Sequence, residues 1–145
     1  MAGTFHWIKI RLFCYATEDE ERLHGLMTEI SGIEDFDAEM SDGHHGNSMI
    51  ILSADLKNDA QCKALFTRFG KDVIDSITEN IDERIDEDCT FYMRLGKQEA
   101  VLGRYEIAHH GDVISVTAKI VSHPARKEIA VNNMKKFLEN IKASV

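Results

Sequence analysis

The chain has 145 residues, 43% of them hydrophobic, so residues 1–145 read as a single globular domain with one real core. Its apolar runs are too short for a transmembrane helix, and "MAGTFHWIKIRLF" alternates apolar with charged residues where a signal peptide needs a continuous apolar stretch. The formal net charge of −8 argues against indiscriminate binding to a polyanion but allows a local basic face.

In chain order, "HWIKIRLFCYA" has the period of a strand, with His6, Ile8, Ile10, Leu12 and Cys14 on one face and Trp7, Lys9, Arg11, Phe13 and Tyr15 on the other. "TEDEERLHGLMTEISG" follows, with Thr17 and Glu20 at capping-box spacing, a helical stripe of Leu23, Leu26, Met27 and Ile30, and Gly32 as the stop. Residues 33–40 and 48–56 are strand-like and can share one antiparallel hairpin across "DGHHGN". Residues 58–81 are helical, interrupted at Gly70. The strand-like runs "CTFYMRL", "GRYEIA" and "DVISVTAKIV" come next, with a turn at "HHGD". Pro124 is suited to the first turn of a last helix striped by Ala130, Met134, Phe137, Leu138, Ile141 and Val145. Cys14, Cys62 and Cys89 are scattered without a CxxC pair and read as small buried hydrophobes in a reducing cytoplasm. The order β-α-β-β-α-β-β-β-α predicts an α+β fold, an antiparallel sheet with helices packed on one face.

If helices cover the Ile8, Ile10 and Leu12 side, the opposite side gathers Trp7, Lys9, Arg11, Phe13 and Tyr15, then Tyr92, Arg94, Arg104 and Lys119. Cations for phosphates and rings for bases suit single-stranded or looped RNA; a dimer interface or ordinary outward positions are the alternatives. His44 and His45 lie between two glycines. Adjacent histidines diverge on an extended backbone and give zinc too few ligands, so a hairpin turn with exposed imidazoles able to donate to phosphate is expected. His109 and His110 form a second such pair. No GxSxG or comparable nucleophile motif occurs, so no catalytic site is expected. The acidic "DERIDED" reads as a solvated connection, with a contact to a basic partner or a divalent-ion site as alternatives.

Four blocks in register, "FHWIKIRLFCYATEDEERL", "GHHGNSMIIL", "ERIDEDCTFYMRLGKQEAVLGRYEI" and "HPARKE", resemble an archaeal family of RNA-binding proteins also described as predicted exosome subunits. The resemblance runs over residues 6–138 and implies a fold like that of the large-subunit ribosomal protein that binds 5S RNA. The positions that carry it include His6, Arg11, Thr17, Glu18, the turn from Gly43 to Asn47, Asp86, Glu87, Asp88, Arg94, Lys97, Gln98, Gly103, Pro124, Ala125 and Arg126. Gly96 departs from it, standing where an acidic residue is expected beside Lys97; His123 stands for an aromatic and Ser48 for a frequent proline.

Residues and resemblance together predict a cytoplasmic, non-catalytic protein that binds structured or looped RNA, with no cofactor and no metal, associated with RNA processing or the archaeal exosome. Lys9, Arg11, Arg94, Arg104 and Lys119 are expected at phosphates, Trp7 and Tyr92 as stacking platforms, and His44, His45, Lys97 and Arg126 as hydrogen-bonding groups at the sheet's edges. The alternative is a homodimeric protein-interaction module using the same face.

Overall fold

A computed structural model of the chain describes residues 3–42 and 48–144. Among these, the elements run β1 (Phe5–Tyr15), α1 (Glu20–Ser31), β2 (Asp37–Asp42), β3 (Ser48–Leu56), α2 (Asp59–Phe69), α3 (Lys71–Glu79), α4 (Ile81–Arg84), β4 (Thr90–Gly96), α5 (Lys97–Val101), β5 (Val113–Ile120) and α6 (Lys127–Ser144). The strands form one sheet in the order β2-β3-β1-β5-β4, each pair antiparallel. The α+β class is the one predicted from the sequence.

β1 occupies the centre because its period-2 pattern supplies Ile8, Ile10, Leu12 and Cys14, all buried, to one face along its length. Val116 and Ala54 flank Ile10 in register, and Met93 continues the row on β4. The helices cover this face. Phe66 of α2 is fully buried, stacked 5.8 Å from Phe5 and edge-on at 5.4 Å to Phe137 of α6 and 6.3 Å to Phe91 of β4. Burying one such side chain contributes roughly 1.5–3 kcal/mol, so this cluster ties α2, α6 and the sheet into one core.

Local chemistry sets the helix ends. Asp19 caps α1 by accepting from the Arg22 N–H at 3.3 Å, and Gly32 ends it at φ 75°. Asn58 caps α2 by accepting from the Ala60 N–H at 2.8 Å. Thr17, the expected cap of α1, instead lies in the turn closed by the Glu18 N–H donating to the Tyr15 carbonyl at 2.9 Å.

Four further expectations are corrected. His6 is exposed and Phe5 buried, because the β1–β5 register shifts between Phe5 and Trp7. Burying an aromatic ring against Phe66 and Phe137 outweighs burying an imidazole. The segment "GRYEIA" is not a strand: only Ile107 bridges Leu95, flanked by hydrogen bonds from the Gly96 N–H to Glu106 and the Ala108 N–H to Arg94. The five-residue α5, not expected at all, intervenes after β4, so the chain returns to the sheet too late to pair further. Pro124 precedes α6 by a turn, held by the Ser122 hydroxyl donating to its carbonyl at 2.6 Å. The first strand of the expected hairpin begins at Asp37 rather than Ile33, which packs against the core with Phe36.

Candidate nucleic-acid interface

The face of the sheet opposite the helices is built by the outward residues of all five strands. Register places Tyr92, Thr117, Lys9 and Asp55 in one row across β4, β5, β1 and β3. The next row is Arg94, Ser115, Arg11, Ser53 and Asp37, and a third holds Thr90, Lys119 and Trp7. Small β5 residues thus separate longer side chains on β4 and β1. With neighbouring strands about 4.8 Å apart, Arg94 and Arg11 stand roughly 10 Å apart over Ser115. The result is a shallow trough with a hydroxyl-bearing floor, Tyr92 and Arg94 on one bank and Lys9 and Arg11 on the other.

Contacts within the face orient these groups. The Arg11 guanidinium lies 5.7 Å from the Phe13 ring centroid. Arg94 donates from Nη1 to the His109 carbonyl at 3.2 Å. Lys9 approaches Asp55 at 3.9 Å, an exposed pair of little energetic weight. Lys119 donates to the Asp88 carbonyl. The Tyr92 ring, 50% exposed, is tethered by its hydroxyl to Asp86 Oδ2 at 3.2 Å. Asp86 is itself fixed, since its Oδ1 accepts from the N–H groups of Asp88 and Thr90 at 2.9 and 3.0 Å. Desolvation and the Asp86 carboxylate push the Tyr92 phenol above its ordinary value, so it stays protonated and able to donate. The acidic segment is therefore partly a brace for a ring on the open face. Among the described residues, no three His, Cys, Asp or Glu side chains are grouped to hold a metal ion.

Trp7, Lys9, Arg11, Tyr92, Arg94 and Lys119, expected on one face, are together on it. Arg104 is not: it is exposed in the loop after α5, its N–H donating to the Glu99 carbonyl at 2.9 Å, because the strand that would have carried it to the face does not form. Arg126 is exposed in the turn leading into α6, outside the strand rows. His44 and His45 lie outside the described residues.

Lys97 is the largest departure, a fully buried residue rather than an edge contact. Its ammonium donates to the Phe13 carbonyl at 2.6 Å and to Glu18 Oε1 at 2.7 Å, pairs with Asp112 Oδ1 at 3.0 Å, and sits 4.8 Å from the Tyr15 ring centroid. Partial burial alone would raise the Glu18 carboxyl, but hydrogen bonds from Lys97 and the Tyr15 N–H outweigh it and hold the group below its ordinary value. The carboxylate missing at Gly96 is thus supplied to Lys97 from two other segments. This network pins the end of β1, and with it Tyr15 and Phe13, to the start of β5.

The sequence reading missed Ser115 and Thr117 as the trough's floor, although the outward register of β5 marks them. It also missed the acidic and apolar half of the face, where Glu39 opposes Ile51, and Met49 opposes Tyr15.

A family described as RNA binding matches residues 7–120. The chain is 33% identical to the RNA-binding protein PAB1135 of Pyrococcus abyssi, across 96% of this chain and 98% of that one. The solved structure of Mth689, from Methanothermobacter thermautotrophicus, superimposes with a TM-score of 0.77 at 30% identity, covering 93% of this chain and 98% of that one. AF2318 of Archaeoglobus fulgidus has the same fold, with a TM-score of 0.77 at 24% identity over 92% and 99% of the two chains. The match spans β1 through β5, every strand of the open face, and the chain accordingly belongs to this RNA-binding family.

Proposed function

We propose that this chain binds looped or otherwise unpaired RNA on the open face of its sheet, without a catalytic step. The observation that carries this reading is the trough over Ser115 and Thr117, banked by Arg94 and Tyr92 on one side and by Arg11 and Lys9 on the other. Guanidinium and ammonium groups neutralise phosphates. The exposed rings of Tyr92 and Tyr15 and the half-buried Trp7 present π-faces to unstacked bases. A role beside RNA-processing machinery, of the kind the archaeal exosome represents, is supported by the four sequence blocks that resemble predicted subunits of it. Holding RNA for such a partner requires no chemistry of its own, and the chain is expected to leave RNA intact with or without added divalent ions.

Replacing Arg11 and Arg94 together by Glu tests the reading. RNA retention in a filter or mobility assay at about 50 mM salt should be lost. The thermal midpoint should move little, because exposed charges contribute little to stability. Wild-type protein that binds no RNA at that salt would remove the proposal. One observation favours a second use of the face, as a homodimer interface: Phe13 pairs with Ile51 and Tyr15 with Met49, giving the β1–β3 half an apolar strip. Sedimentation distinguishes the two, since an Ile51→Lys variant should turn a dimer into monomers but leave an RNA-binding monomer's mass unchanged.

A further inference from the structure

The open face does not stop at β4. Ile85 bridges Phe91 and Ile107 bridges Leu95, so two segments flank the β4 edge with a gap between them. A groove of about 290 Å³ lies there, bordered by Arg84, Tyr92, Arg94 and His109 and continuous with the floor residues Ser115 and Thr117. That volume is at the low end for small-ligand sites, roughly 300–1,000 Å³, and suits one nucleotide rather than a helix.

Arg84 is the anomaly of this groove. Its Nε is buried and has no hydrogen-bond partner. No side-chain hydrogen bond or salt bridge to another described residue engages its guanidinium, and Glu83, its chain neighbour, is the carboxylate that acts on it. Burial pulls its guanidinium below its ordinary value, against Glu83. Arg84 is half-buried, and its Nε–H has lost water without gaining an acceptor, so folding leaves the desolvation of that group uncompensated. An incoming anion reverses that deficit. Arg94, which lines the same groove, is held by a single hydrogen bond to the His109 carbonyl, which leaves the rest of its planar fork open. The Tyr92 ring lines the same groove, and its tether to Asp86 limits its rotation before any ligand arrives.

We propose that this groove is a seat for a single unstacked nucleotide of an RNA strand, its phosphate held by Arg84 and Arg94 and its base laid on Tyr92. The inference rests on the reading of unpaired RNA and adds to it where one nucleotide sits, since a paired and stacked base cannot reach the Tyr92 ring. Asp86 is then a positioning residue: it touches no RNA but holds the ring.

The test uses the full chain, a short unstructured RNA oligonucleotide and uridine monophosphate. Arg84→Gln should weaken oligonucleotide binding about tenfold, as expected for a lost charged hydrogen bond. It should also make the slope of log affinity against log salt shallower by about 0.7, the share of one phosphate contact on a single strand. Its melting midpoint should match or exceed that of the wild type, whereas a structural arginine would lower it. Lys63→Gln, an exposed lysine on α2, serves as the control and should change neither affinity nor slope. Uridine monophosphate should shift the Arg84 Nε–H resonance. If the oligonucleotide binds but Arg84→Gln retains wild-type affinity and slope, the groove proposal is overturned while the open-face reading stands. If the oligonucleotide does not bind yet uridine monophosphate shifts Arg84, the RNA reading fails and the groove remains as a nucleotide site. Neither ligand binding overturns both.

Discussion

Lys97 shows how little a residue's type says about its role when its partners are remote in sequence. Its acceptors are Phe13, Glu18 and Asp112, brought to it by the ends of β1 and β5. A lysine followed by Gln98 and Glu99 reads as solvent-exposed, and only the fold reveals that three acceptors converge on it. Arg84 was equally illegible, being one cation inside an acidic run whose backbone happens to border β4. Removing the Lys97 charge would leave Glu18 and Asp112 partly buried without a counterion. Lys97→Met should therefore cost about 3 kcal/mol in a denaturant melt, the lower end for breaking a buried pair because both carboxylates keep some solvent. The loss should depend on pH in a defined direction. Glu18 titrates below its ordinary value when folded, so its contribution is present above the unfolded value of about 4.3 and disappears as pH falls through the lower folded one. Lys97→Met removes the share of that depression that Lys97 supplies and leaves the Tyr15 N–H in place. The stability gap between wild type and variant should thus narrow below about pH 4, and a gap constant from neutral pH to pH 3 would show that the ion pair does not carry the effect.

Among the elements, those with a long period were legible and those fixed by a few local contacts were not. The alternation of β1, the stripes of α1 and α6, and the break at Gly70 follow from spacing alone. α4 and α5 are too short to show a stripe, and "GRYEIA" has a strand's composition but only one bridge. Gly70 is informative because α2 and α3 meet there with no connecting residue besides it, at φ 89° and ψ 172°, a region essentially reserved for glycine. No atom lies within 4 Å of a Cβ built on it, so substitution is resisted by the backbone alone. Gly70→Ala should cost roughly 1–3 kcal/mol. Gly25, exposed in the middle of α1 and equally open around its Cβ, gives the opposite sign: Gly25→Ala should stabilise by about 0.5–1 kcal/mol. Melting midpoints moving in opposite directions would confirm that the joint's conformation, and not glycine's general flexibility, is what the α2–α3 corner requires.

For the whole molecule, the paradox of an acidic chain in an RNA-binding family is resolved by where the topology places its charge. The net charge is −8, yet β1, β5 and β4 bring Lys9, Arg11, Arg94 and Lys119 to adjoining positions, while Asp37 and Glu39 fall on the far edge of the same face. Composition could forbid indiscriminate binding, but the separation within one face depends on strand order, which the sequence pattern left open. This arrangement predicts a moderate electrostatic component. Lys119 is already engaged with the Asp88 carbonyl and Lys9 shares its charge with Asp55, so on the proposed reading Arg11, Arg94 and Arg84 are the principal phosphate contacts, with Lys9 a partial one. Three to four contacts to a single strand give a slope of log affinity against log salt of roughly −2 to −3. Titration of a short unpaired RNA between about 50 and 200 mM salt measures it directly. The acidic remainder of the surface repels any strand that strays from the trough, so lengthening the RNA beyond the face should leave this slope unchanged. A slope that steepens steadily with RNA length would mean that phosphates are held well outside the sheet, and the open face would then not be the principal site.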